Sequence, residues 1–134
     1  ALRRQGSFAG IEELLLVDDE PMLRETTEKL LQGLGYRVRT AFGGEEALRL
    51  LDAGEARPQL VVLDVVMPGL AGVRLLDEIR KRLPQVPVIL ISGYSREMEV
   101  RRMLQAGALE LIQKPFRIDE LAGAIRRALQ LPQK

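Results

Sequence analysis

Five short apolar runs divide the chain: Leu14 to Val17, Tyr36 to Thr40, Leu60 to Leu63, Val88 to Ile91 and Leu109 to Ile112. Most are apolar without interruption, where a strand with one wet face would alternate, so they predict strands covered on both sides. The segments between them carry helical spacing. Leu23, Thr27, Leu30, Leu31 and Leu34 form one apolar stripe, with Pro21 in the first turn and Gly35 placed to stop the helix. Leu75, Leu76, Ile79 and Leu83 make a second stripe, and Ile118, Leu121, Ala122, Ile125 and Leu129 a third. Two weaker helices fit Glu45 to Ala53, acidic in its first turn, and Ser95 to Ala106, with Ser95 as its cap and Gly107 as its stop. Strand and helix therefore alternate throughout. The pattern predicts an α/β fold of (βα)5 type, a doubly wound five-stranded parallel sheet with helices on both faces.

Open parallel sheets gather ligands beyond the carboxyl ends of their strands. The residues that reach that edge are Asp18 and Asp19 after the first run, Asp64 after the third, Ser92 after the fourth and Lys114 after the fifth. Taken singly, each has an ordinary explanation: an acid at a strand end caps a helix or a turn, Ser92 before Gly93 marks a turn, and a lysine is usually solvated. Turn chemistry does not account for their arrival from separate strands at one edge. Carboxylates gathered there repel one another, and a hard cation with oxygen ligands relieves the repulsion. Magnesium suits such a place, because it binds through one or two carboxylates together with waters and phosphate oxygens. Asp64 is then a candidate both for metal ligand and for nucleophile, since carboxylates form aspartyl phosphates, with Lys114 and Ser92 available to the moving oxygens.

Composition narrows the chemistry further. The 134 residues fit one domain, and the absence of histidine and cysteine removes imidazole bases, thiolates, disulfides and the usual zinc ligands. Lysine and arginine number 20 against 19 acidic residues, without the positive excess expected of a nucleic-acid binder. No apolar run approaches the roughly 20 residues that span a bilayer, and no secretory pattern opens the chain, so a cytoplasmic place is expected. Ala1 to Gly10 is polar and reads as a linker or an artificial remnant. The expected division is residues 1–11 as linker, 12–131 as the domain and 132–134 as a C-terminal tail.

The stretches LLLVDDEPMLRE, VVLDVVMPGLAG, PVILISGYS and GALELIQKPF resemble, in order and spacing, the motifs of the response-regulator receiver family of two-component signalling, over about Glu12 to Leu129. The resemblance implies a flavodoxin-like strand order 2-1-3-4-5. It implies that Asp64 is phosphorylated from a histidine kinase or a phosphotransfer domain. It further implies that Asp18, Asp19, Asp64 and the main-chain carbonyl of Val66 hold Mg2+, that Ser92 is the hydroxyl switch, and that Lys114 pairs with the phosphoryl group. The bond from Lys114 to Pro115 is expected to be cis. One position departs from the family pattern: three residues before the lysine, where Tyr or Phe is usual, stands Leu111, which fills the pocket differently and lacks a hydroxyl. Arg117 is also a weak cap for the last helix.

A signalling switch is thus the leading expectation, with an output domain or partner protein reading the change and a homodimer through the last helix–strand–helix face. Self-phosphorylation and autodephosphorylation would come with it. A free-standing phosphatase would need a second acid near the nucleophile, and Val65 and Val66 supply none. The alternatives are a stand-alone or DNA-binding regulator and a binding module that needs no phosphate. The SGYS and IQKPF wording resembles receivers of hybrid sensor kinases more than those of DNA-binding regulators. The paired arginines Arg101 with Arg102 and Arg126 with Arg127 read as solvated helix faces, and Tyr94 as a partly exposed ring near the site.

Overall fold

The computed structural model describes residues 8–93 and 96–130. The strands are β1 (Glu13–Val17), β2 (Arg37–Ala41), β3 (Leu60–Asp64), β4 (Val88–Ser92) and β5 (Glu110–Gln113), all paired in parallel in the order β2-β1-β3-β4-β5. The helices are α1 (Pro21–Gly33), α2 (Gly44–Asp52), α3 (Gly72–Arg82), α4 (Glu97–Gln105) and α5 (Ile118–Gln130). The expected (βα)5 sheet and its strand order are both observed.

The period of two along each strand sorts the core into two layers. Leu15, Val17, Val61, Leu63, Val88 and Leu90 face one way and pack with Ala47 of α2, Leu75, Leu76 and Ile79 of α3, and Val100 and Met103 of α4. Leu14, Leu16, Leu60, Val62, Ile89 and Ile91 face the other way and meet Leu31 of α1 and Leu121, Ala124 and Ile125 of α5. This two-sided burial explains why β1, β3 and β4 read as unbroken apolar runs. The edge strands do not: β2 exposes Arg37 and Arg39, and among β5 residues only Ile112 is buried.

Boundaries differ from the sequence reading where a neighbour claims the backbone. Tyr36 was expected to open β2, but its N–H donates to Leu31 O at the end of α1, and pairing runs on to Ala41, which accepts from Asp18 N–H. Helix α1 stops as expected, with Gly35 at φ 105, the left-handed conformation that favours glycine. The weak cap at Arg117 is offset by Glu120, whose carboxylate accepts the Arg117 N–H at 3.0 Å, half of a capping box. The expected Ser95 cap and the Tyr94 ring lie outside the described residues; α4 opens at Glu97 after Arg96, which makes no side-chain cap. At the start of the fold, Gly10 N–H donates to Leu34 O and the Tyr36 hydroxyl to Phe8 O, so residues 8–10 are tied to the sheet's edge. No helix among the described residues is long and apolar enough to cross a membrane.

Candidate functional site

Asp64 and Ser92 are the last residues of β3 and β4, and Lys114 directly follows β5, so parallel pairing brings all three to the carboxyl edge of the sheet. Asp18 follows β1 and is held there by its N–H to Ala41 O and by Arg24 Nη1, which donates to Asp18 O at 2.8 Å. The main chain at Lys114 is fixed by its N–H bond to Ser92 O, and the bond to Pro115 is cis, as expected. Among the described residues, Asp18, Asp64 and Ser92 are the polar ones that this edge buries.

The ammonium of Lys114 sits among carboxylates. Its Nζ donates to Glu20 Oε1 at 2.8 Å, to Asp64 Oδ2 at 3.1 Å and, at 3.5 Å, to Asp18 Oδ1. Oxygens of Asp18, Glu20 and Asp64 lie within 4.8 Å of one another. Backbone donors also hold the two aspartates: Glu20 N–H reaches Asp18 Oδ1 at 2.9 Å, and Val66 N–H reaches Asp64 Oδ1, the oxygen away from Lys114, at 3.2 Å. Asp18 Oδ2 is buried with no hydrogen-bond partner, although Nζ is 3.3 Å away. A buried acceptor in that state costs free energy unless a further ligand meets it.

Burial pushes the Asp64 carboxyl up to about 7; the Lys114 charge opposes the rise and the Asp18 charge adds to it. Burial also works against the charged form of Lys114, but its bond to Glu20 and the charges of Asp64 and Asp18 outweigh that and raise it above lysine's ordinary value. The edge thus holds excess negative charge in partly dry surroundings, which a hard cation with oxygen ligands would relieve.

Asp18, Asp64, Ser92 and Lys114 converge as the sequence pattern implied. Asp19 is half-buried beside Asp18 but is not one of the three clustered acids; that place is taken by Glu20, which the sequence reading did not single out. The third acid of the run Asp18-Asp19-Glu20 was the available signal. The loop after Asp64 also has two unforeseen supports. Glu45 of α2 accepts the Leu70 N–H at 3.0 Å, and Glu99 of α4 accepts the Val73 N–H at 2.8 Å, capping α3 from another helix. Gly72, at φ 61, makes that approach possible, because a Cβ there would collide with the Glu99 carboxylate. Leu111 borders a cavity of about 380 Å³ between β5 and α4, together with Ser92, Val100, Leu104 and Gln113. Of the arginine pairs, Arg101, Arg102 and Arg127 are exposed. Arg126 instead bonds Glu12 at 2.8 Å and the Tyr36 hydroxyl at 3.3 Å.

The family model described as "Response regulator receiver domain" matches residues 14–126. The chain belongs to that family. It is 37% identical over 124 residues to the probable C4-dicarboxylate response regulator DctR of Bacillus subtilis, covering 91% of this chain and 54% of that protein. It is 34% identical over 123 residues to the sensor kinase CckA of Brucella abortus, covering 92% of this chain and 13% of that one. The chain therefore spans about half the length of DctR and a small part of CckA. Among solved structures, the receiver domain of NtrX from Brucella abortus superposes with a TM-score of 0.81 at 37% identity, covering 89% of this chain and 99% of that one. This receiver domain carries an acidic pocket of Asp18, Glu20 and Asp64 that is able to bind a metal.

Proposed function

We propose that Asp64 is the phosphoacceptor of this receiver domain and takes its phosphoryl group from a phosphohistidine of a histidine kinase or phosphotransfer domain. The observation that carries this is a buried carboxylate at a strand end with the Lys114 ammonium 3.1 Å from it. In the step, a carboxylate oxygen of Asp64 attacks phosphorus, the P–O bond forms, the P–N bond breaks, and its electron pair stays on the imidazole nitrogen. Lys114 takes up charge on the phosphoryl oxygens, and the Ser92 hydroxyl, at the end of the neighbouring strand, is the donor on the other side. The orphaned Asp18 Oδ2 suits a magnesium ion held by Asp18 and Asp64. Asp19 and the Val66 carbonyl join that set on the family resemblance alone. Magnesium, when bound, would neutralise charge on the transferring oxygens.

In this proposal the domain acts in the cytoplasm and an output domain or partner reads the phosphorylated state. Exposed Leu104, Leu109 and Leu111 support a homodimer through α4, β5 and α5. Similarity to the sensor kinase CckA, with the SGYS and IQKPF wording, supports a hybrid kinase as the parent chain. Similarity to DctR supports the alternative, a response regulator.

Acetyl phosphate with magnesium should label a single residue, Asp64, found by peptide mapping after borohydride reduction. Label on Asp18, Asp77 or another carboxylate would remove Asp64 from this role.

A further inference from the structure

We propose that Glu20 is a positioning residue that holds Lys114 in the resting domain and must release it before the ammonium can receive a phosphoryl oxygen. The inference rests on Asp64 being the phosphoacceptor. A lysine ammonium has three N–H donors and no more. In the resting domain all three are directed at Asp18, Glu20 and Asp64, the Glu20 bond being the shortest at 2.8 Å and the Asp18 bond the longest at 3.5 Å. A phosphoryl group built on Asp64 therefore finds the ammonium already engaged, and one bond has to break.

The three acceptors differ in how easily they let go. The Asp18 and Asp64 side chains are almost wholly buried, and each is fixed by a backbone N–H, from Glu20 and from Val66. The Glu20 side chain is 59% exposed, so its carboxylate exchanges the ammonium for water at little cost. Its place in the chain gives a second, independent indication. Glu20 is the N-cap residue of α1, with extended backbone and Pro21 next to it, yet its side chain makes no capping bond to the helix. The carboxylate serves a lysine 94 residues away instead of the helix that begins beside it. Glu20 thus competes with the phosphoryl group for Lys114 and keeps the ammonium at the site until that group arrives.

Removal of the competitor should tighten binding of a phosphoryl mimic. At saturating magnesium, Glu20→Gln should bind beryllofluoride about two- to fivefold more tightly than the parent, the range expected for release of an exposed ion pair. Glu20→Asp separates a latch from simple repulsion, because it keeps the charge but its side chain is one methylene too short to reach Nζ. A latch predicts that Glu20→Asp also binds more tightly, whereas repulsion alone leaves it like the parent. The Lys114 ammonium resonance in a proton–nitrogen NMR spectrum of the ligand-free domain should move in both variants. An unmoved resonance, or unchanged or weaker beryllofluoride binding in both, overturns the latch. So does a fall in magnesium affinity in Glu20→Gln without a gain for beryllofluoride, which would make Glu20 a metal ligand. If the parent itself takes no beryllofluoride and no label at Asp64, the phosphoacceptor reading fails, and the latch with it.

Discussion

Two groups of like composition stand at opposite ends of the sheet. At the amino end, Arg82 at the end of α3 meets Asp52 through one edge of its guanidinium, Nε to Oδ1 at 2.6 Å and Nη2 to Oδ2 at 3.2 Å, and bonds Glu78 through Nη1. At the carboxyl end, Lys114 meets Asp18, Glu20 and Asp64. The difference is water. The Asp52 side chain is 57% exposed and that of Arg82 28%, against 3% for Asp64 and 8% for Lys114. The hydrogen bond from Arg82 accordingly lowers the Asp52 carboxyl, while burial raises that of Asp64 despite an ammonium at bonding distance. A cation and two or three carboxylates make a solvated surface clasp in one place and an under-compensated site in the other. Burial decides which.

The largest expected effect of breaking this contrast is at Lys114. Lys114→Ala leaves Asp18 and Asp64 buried without their cation, and loss of one member of a buried ionic group typically costs about 3–5 kcal/mol. Urea unfolding in EDTA at neutral pH should show a loss near that range, and Lys114→Arg should restore only part of it, because a planar fork does not reproduce a compact ammonium. A loss as small as that of a surface pair would mean that the aspartates are solvated.

The next effect is in the pH dependence. Asp64 has a folded value raised to about 7 from an ordinary 3.8, so between these values the native state holds a proton that the unfolded chain has lost. Its contribution is therefore fully present below the unfolded value and is lost as pH rises through about 7. In EDTA, the parent should lose stability relative to Asp64→Asn across that window. A constant difference would show that Asp64 titrates in the ordinary carboxylate range.

The smallest effect belongs to the clasp: Arg82→Ala should leave the urea midpoint almost unchanged, and what change there is should shrink with added salt.

The site residues that were legible in the sequence are those the strands themselves deliver. Asp18, Asp64, Ser92 and Lys114 end or follow apolar runs, and parallel pairing leaves such residues only one edge to occupy. The core followed for the same reason, since β1, β3 and β4 are covered on both faces. What could not be read depends on side chains crossing between elements. Glu20 looks like a helix-start acid until β5 brings Lys114 beside it, and Glu99 reads as part of a solvated first turn until α4 lies against the start of α3. Adjacent residues leaving a strand point in different directions, so an acidic pair does not by itself tell which member faces the cluster. The ends of β2 and β5 were displaced by one residue because edge strands lack the unbroken apolar signal, and turn hydrogen bonds decide where pairing begins.

The central claim is that excess buried charge at the carboxyl edge is what a cation and a phosphoryl group answer to. Thermal melts of the parent and Asp64→Asn, each in EDTA and in millimolar magnesium, test it most directly. The asparagine keeps the shape and removes one negative charge, so the variant should melt several degrees higher than the parent in EDTA. Magnesium, binding only the folded state, should raise the parent and raise the variant less. If Asp64→Asn melts lower than the parent in EDTA and magnesium shifts both equally, the buried aspartates do not share a cation site and the account is wrong.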